Sequence, residues 1–352
     1  MQLTTSPTDA TPRSPSTGAR GRTRHWVVRA AVATLVVFAV AELGVRLADD
    51  RLPPPPDWPS TEYGLKERQI DRLADRAGGA GLVVVGSSIV DTSIDPAGLD
   101  PDVVGDRPAY NASLIGASPV IVEFWTNEVV VPALAPETVV IGLSSRDLNA
   151  NAKDYAADDT RFFTLPAVKE LAGTGSAAER LERRLADWSA LVRHREALRR
   201  PLQSLFDYDP PDRNVPELTD DGFETQLTGL SFRLDPVVAA FFRNEPLLGF
   251  TVSERHLDAL RRLIDHLRDN DTRVVLVDAP VTDAYIALHP RGADDYDAYQ
   301  AAIAELADDS GAELIDVGVW PDERFSDPLH LNGDGAARLT DLVEAHLRED
   351  PR

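Results

Sequence analysis

The residues best placed to do chemistry are a serine near the front of the chain and a histidine near its end. Ser88 closes the run Val83-Val84-Val85-Gly86-Ser87-Ser88. The β-branched residues predict a buried strand, and Gly86 permits a sharp turn without a Cβ clash. Ser88 is then presented at the carboxyl end of that strand, where open α/β sheets bind their ligands. The histidine is His330, within Ser326-Asp327-Pro328-Leu329-His330-Leu331-Asn332. An aspartate three residues before a histidine on a turn can hold one ring nitrogen with its carboxylate and leave the other as a general base. Taken singly, the serine could offer a hydroxyl nucleophile and the histidine a general base. Each also has a plainer reading: small residues after a strand usually make a turn, and a lone Asp-x-x-His is usually a helix-start turn. A third piece, Tyr110-Asn111-Ala112-Ser113-Leu114-Ile115-Gly116-Ala117-Ser118-Pro119, reads as a strand end running into a small-residue turn. There Gly116 could aim its amide at a developing oxyanion, or simply turn the chain.

The elements that must position these residues alternate from residue 81 onward. Strands are expected at Leu82–Val85, Ala109–Leu114, Thr138–Leu143, Arg273–Val277 and Glu313–Val317. Helices are expected over 61–77, with Leu65, Ile70 and Leu73 inward, and over 119–131. Others carry Leu257, Leu260, Ile264 and Leu267 on one face, or Tyr296, Tyr299, Ile303 and Leu306, or (335–347) Leu339, Leu342, Val343 and Leu347. Strands separated by crossover helices predict a doubly wound parallel α/β sheet. Residues 150–252 break the pattern. They read as a partly helical insertion leaving the carboxyl edge of the sheet after the third strand, with a long amphipathic helix through Leu181, Leu185, Trp188, Leu191 and Leu198. A lid or substrate wall and a protein-docking surface are both open for it.

The chain has 352 residues, a net charge of −22 and no cysteine. The acidic residues are spread out, which reads as a solvated surface and makes nucleic acid an unsuitable partner. Without cysteine there is no disulfide, thiolate metal site or lipidated cysteine. His25, His194, His256, His266, His289 and His346 sit on a membrane flank, charged helix faces or a loop. No cluster has metal-ligand spacing, so no metal is expected. No phosphate-cradling glycine loop follows a strand, so a nucleotide or flavin binder is set aside and no cofactor is expected.

Residues 1–25 are polar and read as a disordered cytoplasmic tail. The apolar run 26–48 follows Arg13, Arg20, Arg22 and Arg24, and is about long enough to span a bilayer. Arg29 and Glu42 lie near its ends, where long side chains reach headgroups. The arginine flank predicts a single-pass cell-membrane anchor with the C-terminal domain outside. A cleaved signal peptide and a soluble amphipathic helix are the rivals. A proline-rich linker, 49–60, would hold the domain, 61–149 with 253–352, off the membrane.

The Ser turn after the first strand, the Asn-x₄-Gly turn after the second, and Asp-x-x-His-Leu-Asn before the last helix together resemble the SGNH (GDSL-like) hydrolase family. The resemblance covers 81–148 and 253–348. It implies a flavodoxin-like sheet and serine esterase or acyl-transfer chemistry, with Ser88 as nucleophile, His330 as base and Asp327 orienting it. It also implies an oxyanion hole from the Ser88 and Gly116 amides. Gly86-Ser87-Ser88 replaces the commoner Gly-Asp-Ser and is similar to membrane-anchored cell-envelope members. The family's Gly-x-Asn-Asp block is here Gly142-Leu143-Ser144-Ser145-Arg146-Asp147, with Arg146 at the Asn position. Arg146 or Ser145 replaces the donor, or the hole has one donor fewer; Arg146 could instead bind a carboxylate or phosphate on the substrate, or pair with Asp147 or another acid. The expected activity is that of an esterase or O-acyltransferase on acyl esters of cell-envelope glycans or glycolipids. The alternative is a non-catalytic scaffold docking an integral-membrane acyltransferase.

Overall fold

In the computed structural model, residues 18–49, 52, 58–153, 155–195, 197–199 and 216–349 are described. The expected tail over 1–17, the proline run 53–56 and the Asp207–Pro211 stretch lie outside the described residues. The chain divides into two compact units: Met1–Pro53 with Leu181–Tyr208, and Pro54–Arg180 with Asp209–Arg352.

In the larger unit the β-branched runs form five strands: β1 (Leu82–Gly86), β2 (Ala109–Asn111), β3 (Thr138–Leu143), β4 (Arg273–Asp278) and β5 (Glu313–Asp316). All neighbouring pairs are parallel, in the order β2-β1-β3-β4-β5. This is the flavodoxin-like order, whose switch point lies beside β1. Side chains alternate between faces. Val83, Val85, Val139, Ile141 and Leu276 pack in the larger core cluster, and Leu82, Val84, Val140, Val275 and Val277 in the second. Helices Thr61–Ala77, Glu254–Asp269 and Ala293–Ser310 contribute to the first cluster, and Gly333–Glu349 covers the second.

Several expectations need correction. β2 stops at Asn111, although the amides of Ala112 and Leu114 still donate to Val84 O and Gly86 O of β1. The helix after it runs Pro119–Trp125, then a π-helical turn Thr126–Val130, then Val131–Leu134. Helix Thr61–Ala77 buries Glu62, Tyr63, Lys66 and Ile70, whereas Leu65 and Leu73 are only partly covered. The long helix expected through residue 198 stops at Trp188 and restarts as Ala190–Arg193. His194, His256 and His289 are buried rather than surface residues.

In the smaller unit helix Gly18–Leu47 begins eight residues before Trp26, inside the stretch expected to be disordered. Its segment Trp26–Leu47 is long and apolar enough to cross a membrane.

Candidate active site

Strand β1 ends at Gly86, and a short helix, Ser88–Asp91, starts almost at once. That helix packs hard on the sheet. A Cβ on Gly86 would lie 2.7 Å from the Gly142 carbonyl oxygen, and one on Gly142 would lie 1.9 Å from Val90 Cγ1. Glycine at both positions is what lets the serine turn sit against β3. The two serines divide the work. Ser87 caps the helix by accepting from the Ile89 amide at 3.5 Å, while Ser88 opens onto the pocket.

The histidine arrives from the loop before the last helix. Asp327 Oδ1 accepts from the amides of Leu329 and His330 at 2.9 and 2.8 Å, and Oδ2 accepts from His330 Nδ1 at 2.8 Å. With Nδ1 donating to the carboxylate, the network assigns the neutral ring a free Nε2. That nitrogen lies 3.0 Å from Ser88 Oγ, across 242 residues of sequence. Burial alone would push the Asp327 carboxyl up, but the His330 ring and the two amides outweigh it and hold the carboxyl below its ordinary range.

Gly116 lines the same pocket with φ +74°. Its amide has no hydrogen bond among the described residues. Ser88 is the first residue of its helix, so its N–H has no intrahelical acceptor either. Both amides are therefore available to an oxyanion. Asn111 does not enter the pocket. Its amide group donates to Val90 O and Ile94 O at 2.8 and 2.9 Å, tying the second strand to the serine helix.

Of the two replacement donors, Ser145 is the one the structure removes. It is fully buried, with Oγ 2.9 Å from both Tyr285 Oη and His289 Nε2. Arg146 instead lines the pocket. Its Nη1 donates to Ser88 Oγ at 3.5 Å, and its guanidinium carbon lies 5.3 Å from the Tyr155 ring centroid. The Arg146–Asp147 pair does not form. Asp147 is occupied by the Ser144 amide and hydroxyl and by Tyr155 Oη, at 2.9, 3.0 and 3.1 Å. Among the described residues Arg146 has no carboxylate in ion-pair range.

The pocket encloses about 370 Å³. Its walls come largely from the insertion, which is closed at its base by an antiparallel bridge between Asn149 and Val252. Ile115, Leu227, Phe241 and Phe242 supply apolar surface, Asp158 and Glu224 carboxylates. A larger cleft, about 750 Å³, opens at the amino-terminal edge of the sheet beside Gly81, Thr138 and Arg273, away from the serine and histidine.

Sequence reasoning missed a buried ionic cluster behind the serine. Lys66 Nζ, fully buried, donates to Asp91 Oδ1 on the serine helix, to Ser113 O at 2.6 Å and to Asn111 O at 3.2 Å. Glu62 accepts from the Ile115 amide at 3.1 Å, one residue before Gly116. Burial, with Asp91 nearby, pushes the Glu62 carboxyl well up; burial also raises Asp91, against the pull of Lys66. The signal in the sequence was Glu62-x₃-Lys66, one face of a helix that otherwise buries Tyr63 and Ile70.

A hydroxyl, an imidazole and a carboxylate in line at the carboxyl end of a flavodoxin-like sheet define the geometry of a serine hydrolase. No family model and no curated protein matches this chain. Among solved structures it is similar to a GDSL-like lipase from Bacteroides thetaiotaomicron at 11% identity, covering 82% of this chain and 98% of that one, with a TM-score of 0.38. It is also similar to a Corynascus thermopiles carbohydrate esterase family 2 enzyme with a carbohydrate binding domain (11% identity, 76% and 65% covered, TM-score 0.37). A carbohydrate acetylesterase family member from Sinorhizobium meliloti matches at 12% identity over 76% and 98%, with a TM-score of 0.33. No residue of this chain takes its role from them.

Proposed function

We propose that the chain is a membrane-anchored serine esterase or O-acyltransferase acting on acyl esters of cell-envelope glycans or glycolipids. The observation that carries this reading is the Ser88–His330–Asp327 relay at 3.0 and 2.8 Å on the pocket floor. Ser88 Oγ attacks the ester carbonyl while its proton passes to His330 Nε2. Asp327 stabilises the imidazolium. The carbonyl oxygen, now negative, is met by the amides of Ser88 and Gly116 and by the Arg146 guanidinium. His330 returns the proton to the leaving alkoxide, and the acyl group stays on Ser88. Water then releases it as the acid, or a sugar hydroxyl carries it away as a new ester; in either case His330 takes the incoming proton and returns it to the departing Ser88 Oγ.

The walls suit such a substrate. Phe241 is 56% exposed and offers a stacking face for a sugar ring. The apolar surface beside Ile115 and Leu227 suits an acyl chain. The apolar segment Trp26–Leu47, with arginines before it, supports a single-pass anchor with the large unit outside the cell.

Ser88→Ala is the test. On a short aryl ester, activity should fall at least about 10³-fold with the circular dichroism spectrum unchanged. A fluorophosphonate should label the parent at Ser88 and leave the variant unlabelled. A variant as active as the parent discards the mechanism. Folded parent that resists labelling favours the scaffold reading, in which Arg146 marks a degenerate site and an integral-membrane acyltransferase is the partner.

A further inference from the structure

The smaller unit carries an apolar helix face that nothing in the unit covers. In helix Ala177–Trp188, Leu181, Leu185 and Trp188 are 59, 47 and 72% exposed. Their spacing of four and three puts them on one side. Arg180 and Arg184 fall on one flank of that side, and Glu182 on the other, where it pairs with Arg195 at 2.6 Å.

This helix is fastened to the outer end of the apolar segment Trp26–Leu47. Glu42 accepts from Ser189 Oγ and from the amides of Ala190 and Leu191 at 2.8, 2.8 and 3.1 Å. Arg46 bonds Glu42 at 2.7 Å and donates to the Trp188 carbonyl at 2.6 Å. Asp49 meets His194 Nε2 at 2.6 Å. The break at Ser189 in an otherwise helical stretch coincides with these bonds. They also satisfy Glu42 and Arg46, two charges at the last turns of an apolar helix that would otherwise be costly there.

We propose that Leu181, Leu185 and Trp188 form an interfacial foot, lying in the headgroup and upper acyl region of the bilayer that the Trp26–Leu47 helix crosses. The occupant follows from continuity: the Trp188 carbonyl is bonded by Arg46, one residue before the apolar segment ends. A tryptophan at the level where a span meets water, an apolar stripe beside it and flanking arginines are what an anionic interface binds. The inference rests on the reading of Trp26–Leu47 as an anchor.

The chain has no cysteine, so single cysteines can be placed without background. Full-length Leu185→Cys, Trp188→Cys, Asp187→Cys and Leu35→Cys proteins would carry a nitroxide in vesicles of equal phosphatidylcholine and phosphatidylglycerol. Accessibility to oxygen and to a water-soluble nickel complex is then read by spin resonance. The foot requires the labels at 185 and 188 to favour oxygen over nickel, with 187 reversed. A label at 185 as open to nickel as that at 187 puts the stripe in water and overturns the proposal. Exclusion from both reagents means that protein covers it, which overturns it equally. The label at 35 separates the two failures: if it too is open to nickel, the anchor reading itself falls. All four positions are solvent-exposed side chains, and circular dichroism checks each fold.

Discussion

The two halves of the site are held by opposite means. The serine half is pinned by a buried cation: Lys66 reaches from the first helix of the large unit to the serine helix and to the turn that ends in Gly116. Segments far apart in sequence meet there, out of water. The base half is almost self-contained. Asp327, Leu329 and His330 satisfy one another within four residues, and the Asp327 and His330 side chains are 28 and 18% exposed. A buried serine frame therefore faces a locally built, solvent-touched histidine loop. The halves should fail differently: the base in rate, the frame in stability.

The largest expected effect is on the base side. Asp327→Asn keeps the shape but removes the charge that fixes the tautomer and stabilises the imidazolium. Turnover should fall on the order of 10⁴-fold, with the urea unfolding midpoint lowered only by the modest contribution of the depressed Asp327 carboxyl. A midpoint that falls sharply would show that the loop is a structural support rather than a local device.

Next comes Lys66→Met, on the frame side. Removing one partner of a buried pair strands Asp91 and typically costs about 3–5 kcal/mol. Denaturant unfolding measures it, and Lys66→Met with Asp91→Asn should recover much of the loss. A single variant as stable as the parent would break the comparison at its root.

This contrast also decides what could be read from sequence. The base half was legible because its contacts are local: Asp-x-x-His names both partners within one motif. The strands were legible for the same reason, as β-branched runs such as Val83–Val85 and Thr138–Leu143 declare themselves. The frame was not. A lysine in a helix that also carries Arg68, Arg72 and Arg76 reads as surface, and its acceptors are Asp91, Asn111 and Ser113 from other elements. Ser145 and Arg146 show the same limit. Adjacent residues on a short turn point to opposite sides, and only the packing of Tyr285 and His289 on Ser145 shows which one enters the pocket. The helix break at Ser189 is met by Glu42, 147 residues earlier.

Arg146 bridges the halves, standing 3.5 Å from Ser88 Oγ but drawn from neither support. Arg146→Leu should lower turnover by about 10²–10³-fold if the guanidinium serves the oxyanion. If it instead binds an anion on the substrate, KM for an anionic ester should rise while turnover on a neutral aryl ester stays near the parent value. Steady-state kinetics on the two esters divides the cases.

The smallest effect, and the one that opposes the halves most directly, is on pH. Asp327 is held below its ordinary range, so it contributes stability above the unfolded value, lost as pH falls through the folded one. Glu62 is pushed the other way, so its contribution is present below the unfolded value and lost as pH rises through the folded one. The frame should therefore weaken toward alkaline pH while the base loop weakens toward acid. Asp278, raised to about 7 by burial against the bond from Tyr299, adds to the alkaline loss, so the parent curve alone does not isolate Glu62. The difference between parent and Glu62→Gln does. Urea midpoints measured across the pH range should show Glu62→Gln losing less stability than the parent as pH rises. Parallel curves would mean that Glu62 titrates alike in the folded and unfolded chain, and that Lys66 neutralises both carboxylates of the frame.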